Sequence, residues 1–257
     1  MAETTQRDLR IFKLLTLGVT TFDMLRSLLL DVFKIDITRT ALEKRLSVLR
    51  SGGYIQSKKY KQIEKHGNIT LYTLTVKSVS VLTWQGQLIE NIRWGLPSDT
   101  MSHHELAGTK ALHSIIRGAA RGLYNFRFID SSILKQQRKP RSKSEIVDLA
   151  LKLNFNDGGM RDINLEIDRS TVLAHEMAKR LKSLSDKREI VIVLCRTSLR
   201  IDSLIKICRD RFYSDFVLFA LQNEFNESAF EKAIFKNLQE EKCIIVLKES
   251  GGKDSGS

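Results

Sequence analysis

Residues Ile190-Val191-Ile192-Val193-Leu194 form a run with no polar side chain on either strand face. Side chains alternate along a strand, so such a run needs apolar cover above and below, as in a central strand between helices. The neighbouring segments fit that demand. Helices are predicted over His103–Gly118, Thr171–Leu184, Asp202–Arg211 and Glu227–Gln239. Strands are predicted over Asn125–Ile133, Phe216–Leu221 and Cys243–Leu247, with a hairpin formed by Glu145–Asn154 and Met160–Asp168 around Asn156-Asp157-Gly158-Gly159. Alternating helices and strands in this order predict a three-layer α/β/α sandwich on a mixed sheet.

The first hundred residues follow another pattern. Leu9, Phe12 and Leu15 recur at helical spacing and Gly18 ends that helix. Thr21 is a suitable N-cap for a second helix carrying Phe22, Leu25 and Leu29. A third begins at Thr38 or Thr40, turns Leu42, Leu46 and Leu49 inward, and stops at Gly52-Gly53. Two strands follow, separated by a turn at His66-Gly67-Asn68. Three helices and a hairpin make a winged helix-turn-helix order. Pro97 lies in a turn, which places the expected domain boundary there: 1–97, 98–249, and a Gly/Ser-rich tail over 250–257 expected to be disordered. The fold class expected is α+β.

Charge narrows the partner. The chain of 257 residues carries 42 Lys and Arg against 30 Asp and Glu, a net charge of +12. A polyanion is the natural partner, and the third helix offers a cationic face with Arg39, Lys44, Arg45 and Arg50. A helix of that size fits the major groove. Lys58, Lys59, Lys61 and Lys65 on the hairpin are suited to phosphates, as are Arg138 and Arg141 in a later basic loop. The start has no apolar signal-peptide core and no run reaches the ~18 residues of a membrane span, so a cytoplasmic protein with no membrane partner is expected. Three cysteines without CxxC spacing fit reduced, buried thiols and no zinc site. No Gly-rich phosphate loop occurs, which argues against an ATPase or a dehydrogenase.

Acidic residues break the apolar pattern of the central hairpin. Asp148 interrupts Ile146–Leu151, and alternation puts Asn164, Glu166 and Asp168 on one face of their strand, opposite Ile163, Leu165 and Ile167. Hairpin pairing brings Asp148 near Glu166. Clustered carboxylates repel unless a cation neutralises them, and a divalent ion is one such cation. The plainer reading is a solvated acidic face partnered by Arg169 or Lys179. His103 and His104 beside Glu105 do not complete a metalloprotease HExxH string, and capping or supporting roles suit them better.

These stretches resemble the replication-relaxation family, to which MobC-type plasmid mobilisation relaxases are similar, and more broadly the PD-(D/E)xK nucleases. The matching stretches are Arg7–Phe12, Leu42–Ile55, His104-Glu105-Leu106, Ile146-Val147-Asp148 and Leu165-Glu-Ile-Asp-Arg-Ser-Thr171. The last fits the family's E-x-D-R-[GS]-T string, and the resemblance spans about residues 5–220. It implies a winged helix followed by a PD-(D/E)xK restriction-endonuclease-like α/β/α domain. It implies Asp148 and Glu166 as ligands of Mg²⁺ or Mn²⁺, with Asp168 either a third ligand or the loss of the charge that steadies the reacting phosphate, Glu105 as a further acid, and Lys179 or Lys182 as a displaced catalytic lysine. Two positions depart from the pattern: Val147 stands for a proline, and Asp168 stands where the nuclease lysine is usual. The activity implied is metal-dependent nicking of duplex DNA at a transfer or replication origin of a mobile element, with accessory or coupling proteins and a homodimer as further partners. The missing lysine favours the alternative, a non-catalytic initiator, accessory or transcriptional factor with a degenerate nuclease-like domain.

Overall fold

The computed structural model describes residues 4–61, 68–86, 95–130, 147–156, 158–170, 172–186, 189–228 and 230–244. The chain divides into two compact units, Met1–His113 and Ser114–Ser257.

The first unit begins with α1 (Gln6–Leu15), whose N-terminus is closed by a capping box between Thr5 and Asp8. A two-residue strand, β1 (Thr20–Thr21), leads into α2 (Phe22–Phe33), where Thr21 accepts from the Met24 amide as expected. Thr38 caps α3 (Arg39–Ser51). The wing is β2 (Ile55–Lys61) and β3 (Asn68–Leu74), paired antiparallel from Ile55–Leu74 to Lys61–Asn68, with β1 on the far side of β3. The turn that joins them, and Lys65 in it, lie outside the described residues. Leu42, Leu46 and Leu49 are buried with Ile11, Phe12, Leu25 and Leu29, which is the inward stripe read from the sequence. The element order is that of a winged helix, extended by α4 (Val76–Trp84), a helix with no counterpart among those predicted.

The long helix α5 (Asp99–Ala120) contributes residues to both units. Its first half belongs with the winged helix. Leu106 is buried with Val19, Tyr60 and Leu71, and the His103 ring meets Tyr60 edge-on at 4.7 Å. Gly18 shows how close this packing is. Its φ is +125°, and a Cβ there would stand 2.6 Å from Thr109 Oγ1 on α5.

The second unit holds a seven-stranded sheet in the order β10-β9-β8-β7-β6-β5-β4. Its strands are β4 (Tyr124–Asp130), β5 (Leu149–Phe155), β6 (Met160–Asp168), β7 (Ile190–Cys195), β8 (Val217–Leu221), β9 (Phe235–Lys236) and β10 (Lys242–Cys243). Pairing is antiparallel from β4 to β6, parallel across β6–β7–β8, and antiparallel beyond. The sheet is therefore mixed, and β7 is central and buried along nearly its whole length, as its composition requires. On one face α6 (Ala174–Ser185) and α7 (Ser198–Arg209) cover Val191, Val193, Cys195 and Phe219. On the other, Tyr124 donates to the Ile115 carbonyl of α5 at 2.8 Å and its ring packs edge-on against Phe230. The Cys195 and Cys208 thiols are reduced and buried.

One expected helix, Glu227–Gln239, is absent. A short α8 (Gln222–Glu227) gives way to a 3₁₀ turn at Phe230–Lys232 and then β9. Phe225 packs edge-on against Phe230 at 6.0 Å and Phe235 at 6.2 Å. Rings spaced at i, i+5 and i+10 do not share a helical face, so the chain breaks the helix to bury all three.

Arg45 also departs from expectation. Its side chain is only 23% exposed and grips Asp8, which is wholly buried, through Nε to Oδ1 at 2.6 Å and through Nη2 to Oδ2. Burial pushes the Asp8 carboxyl up, but hydrogen bonds from Arg45 and Thr5 outweigh it and hold the group below its ordinary value. A depressed carboxylate contributes stability that is present above the unfolded pKa and is lost as pH falls through the folded one. Arg45→Ala strands a buried charge, and chemical denaturation is expected to show a loss of about 3 kcal/mol at neutral pH, shrinking in acid. A loss below about 0.5 kcal/mol would show that the pair is not a structural clamp.

Candidate functional site

Two groups of residues bear on function, one in each unit. In the first unit, α3 presents a polar outer side flanked by the wing. Arg39 donates through Nε to Glu43 at 3.0 Å, lies 3.7 Å from Asp23, and sits 5.0 Å over the Phe22 ring. Lys44 is exposed one turn later. Arg50 donates to Ser57 Oγ on β2 at 3.4 Å. Tyr72 faces Ser57 across the wing, and its hydroxyl is pushed above its ordinary pKa, chiefly by burial, while feeling the charges of both Arg50 and Glu43.

That register sorts the wing lysines. Alternation places Ser57, Lys59 and Lys61 on one face of β2, with Tyr72, Thr70 and Asn68 opposite them on β3. This is the face tied to α3 through Arg50. Lys58 shares its parity with Tyr60, whose ring is buried against Val19, Leu71 and Leu106 on the other face. Lys59 and Lys61 therefore join α3 on one side, and Lys58 does not. Arg45 belongs to the interior. Arg138 and Arg141 lie outside the described residues.

In the second unit the acids occupy the sheet face beneath α6 and α7. The register pairs Asn164 with Val191, Glu166 with Val193 and Asp168 with Cys195, and those three β7 residues belong to the core under the helices. Asn164, Glu166 and Asp168 are each nearly fully buried. Each is met by a charged residue from outside the strand. Asn164 donates to Glu189 at 2.5 Å. Glu166 lies 2.8 Å from Arg180 of α6. Asp168 receives two hydrogen bonds from Arg200 of α7, at 2.7 and 3.1 Å, and one from the Ser170 amide at 3.1 Å. Arg200 also donates to the Val172 carbonyl at 2.7 Å.

Asp148 closes the β5–β6 ladder from just before β5. Its carboxylate accepts the Ile167 amide at 2.8 Å, and its own amide hydrogen-bonds the Glu166 carboxylate. The expected neighbourhood of Asp148 and Glu166 is thus present. Burial, and next the Asp148 charge, push the Glu166 carboxyl well above the usual carboxylate range, against the downward pull of Arg180. Burial first and Asp168 second push the Cys195 thiol up to about 12, so it is protonated and no nucleophile at neutral pH.

The three acids do not fit a divalent ion as a shared ligand set. Both Asp168 oxygens are engaged by Arg200, and Arg180 stands against Glu166 where a cation would bind. Among the described residues no group of three or more His, Cys, Asp or Glu is placed to hold a metal ion. Lys179 and Lys182 are exposed, and Arg180 supplies the charge beside Glu166. Glu105 lies on α5 within the first unit. Sequence reasoning missed both arginine partners. Arg180 and Arg200 sit within ordinary amphipathic helices, and nothing local marks them as inward-pointing.

No family model matches the chain, and no curated protein matches it. Among solved structures, one match is the crystal structure of Bacillus subtilis PadR in complex with operator DNA, at 17% identity over 55% of this chain and 82% of that chain, with a TM-score of 0.30. A TM-score that low does not bear on the fold. Among the described residues no helix is long and apolar enough to cross a membrane.

The Glu166 geometry has a pH signature. A carboxyl with a raised folded pKa contributes stability that is fully present below its unfolded pKa and lost as pH rises through the folded one. Glu166→Gln removes that loss. Thermal melts should show the variant above wild type at pH 8 by about 2–4 °C, the shift produced by about 1 kcal/mol in a chain of this size. The gap should close toward pH 5. A gap that widens as pH falls would mean that the charged Glu166–Arg180 pair is a net stabiliser.

Proposed function

We propose that the chain is a DNA-binding protein that docks duplex DNA with α3 in the major groove and β2 along the backbone. The observation that carries this reading is the wing register. It sets Lys59 and Lys61 on the face tied to α3 by the Arg50–Ser57 hydrogen bond, and Lys44 is exposed on α3 itself. A net charge of +12 supports a polyanionic partner. On the family resemblance, the duplex is a transfer or replication origin of a mobile element.

The same proposal assigns the second unit a non-catalytic role, that of a folded α/β platform. What supports this part is the engagement of Asp168 by Arg200 and of Glu166 by Arg180, which occupy the acids that nicking would require. A supercoiled-plasmid assay with origin DNA and Mg²⁺ or Mn²⁺ is expected to show no nicking. Nicking by wild type that Asp148→Asn abolishes would replace this part with the nickase reading.

Binding measured against salt tests the first part. Replacing Lys44, Lys59 or Lys61 with Ala should weaken binding and lower the slope of log K against log salt by about 0.9 for each phosphate that the lysine neutralises. Lys58→Ala should leave the slope unchanged, because its strand position points it to the other face of the wing. Equal effects at Lys58 and Lys59 would contradict the assignment of the two lysines to opposite faces.

A further inference from the structure

The outward side of α3 is less cationic than the helix's sequence. Leu42, Leu46 and Leu49 are turned inward, and Arg45 is held on Asp8. Arg39, Glu43 and Arg50 line the flank toward α2 and the wing, through Asp23, Phe22 and Ser57. The side opposite the leucines carries Thr40, Lys44, Ser47, Val48 and Ser51, all exposed. Their spacing of i, i+4, i+7, i+8 and i+11 is one continuous helical stripe.

Four of these five side chains are short or β-branched, and one is apolar. Val48 is 40% exposed and lies in the last turn of the helix. A β-branched residue at a water-facing helical position gains nothing from packing and has poorer helix propensity than Ala or Lys. Short neighbours at Ser47 and Ser51 let another surface approach it closely. The major groove offers one apolar group at base edges, the thymine C5-methyl.

We infer that Val48 is a specificity-determining residue whose methyl groups pack on the C5-methyl of a thymine in the major groove. The inference rests on the DNA-binding reading above and names one base contact within it. Lys44, one turn earlier on the same stripe, reaches the adjacent base edge or its phosphate.

The experiment uses the full chain and the best-bound duplex recovered from a randomised pool. Each thymine is replaced in turn by uracil, which removes only the methyl group, and affinity is measured for wild type, Val48→Ala and Val48→Thr. Wild type should lose roughly three- to fourfold at one thymine per bound α3, the effect of exposing one methyl group. Val48→Ala should bind the thymine duplex weaker by a similar factor and be indifferent to uracil at that position. Val48→Thr, which keeps one methyl, should fall between them. Neither variant should lose the fold, since residue 48 is outside the core, and Val48→Ala should melt at or slightly above wild type because alanine is the better helix former. Uracil penalties that are the same in wild type and Val48→Ala at every position overturn the inference and leave DNA binding intact. Binding of the pool without any sequence preference also overturns the inference, and failure of the chain to bind duplex DNA at all overturns the DNA-binding reading itself.

Discussion

A carboxylate shut away from water has to be met by hydrogen bonds and a counter-charge from the protein, because leaving it bare costs several kcal/mol. Among the described residues an arginine supplies the counter-charge in three such cases. Asp8 is held by Arg45, Glu166 by Arg180 and Asp168 by Arg200. Each pair joins two elements: α1 to α3, β6 to α6, β6 to α7. The planar guanidinium suits the role, since it offers several donors in a fixed fork and keeps its charge when partly buried.

That constraint decides which charged residues remain for function. In the first unit it withdraws Arg45 from the outer side of α3 and fixes the helix against α1. The outward stripe is left with Lys44 and small side chains. In the second unit it commits two of the three acids on the central hairpin to helix-borne arginines. The result is a polar row inside the sandwich, joined to the ladder by the interlocked Asp148 and Glu166 backbone and side-chain bonds. The buried Asp8–Arg45 pair of the first unit and the ion-paired interior of the second unit thus have one physical origin.

Much of this was legible in the sequence, where local pattern and tertiary demand agree. The leucine stripe of α3, the Thr21 cap, the Met160–Asp168 strand and the apolar β7 run all follow from side-chain periodicity. The shared face of Asn164, Glu166 and Asp168 was equally legible, but not its cover. A polar row reads as solvated, and only the positions of α6 and α7 turn it inward. Arg45 lies next to exposed residues in sequence, yet falls at the edge of the leucine stripe, where a buried Asp8 from a helix 37 residues away captures it. The valines of α4 carry no strong helical signal, since β-branched residues favour strands. Phe225, Phe230 and Phe235 mimic a helical segment by composition, and only their spacing betrays the break.

The most direct test of the DNA-contacting surface is hydrogen–deuterium exchange on the full chain, with and without a saturating preferred duplex. Bound DNA should slow exchange in peptides covering α3 and β2, and leave β6 and β7, already buried beneath α6 and α7, unchanged. Added protection confined to the second unit, with α3 and β2 exchanging as in the unbound chain, would contradict the account.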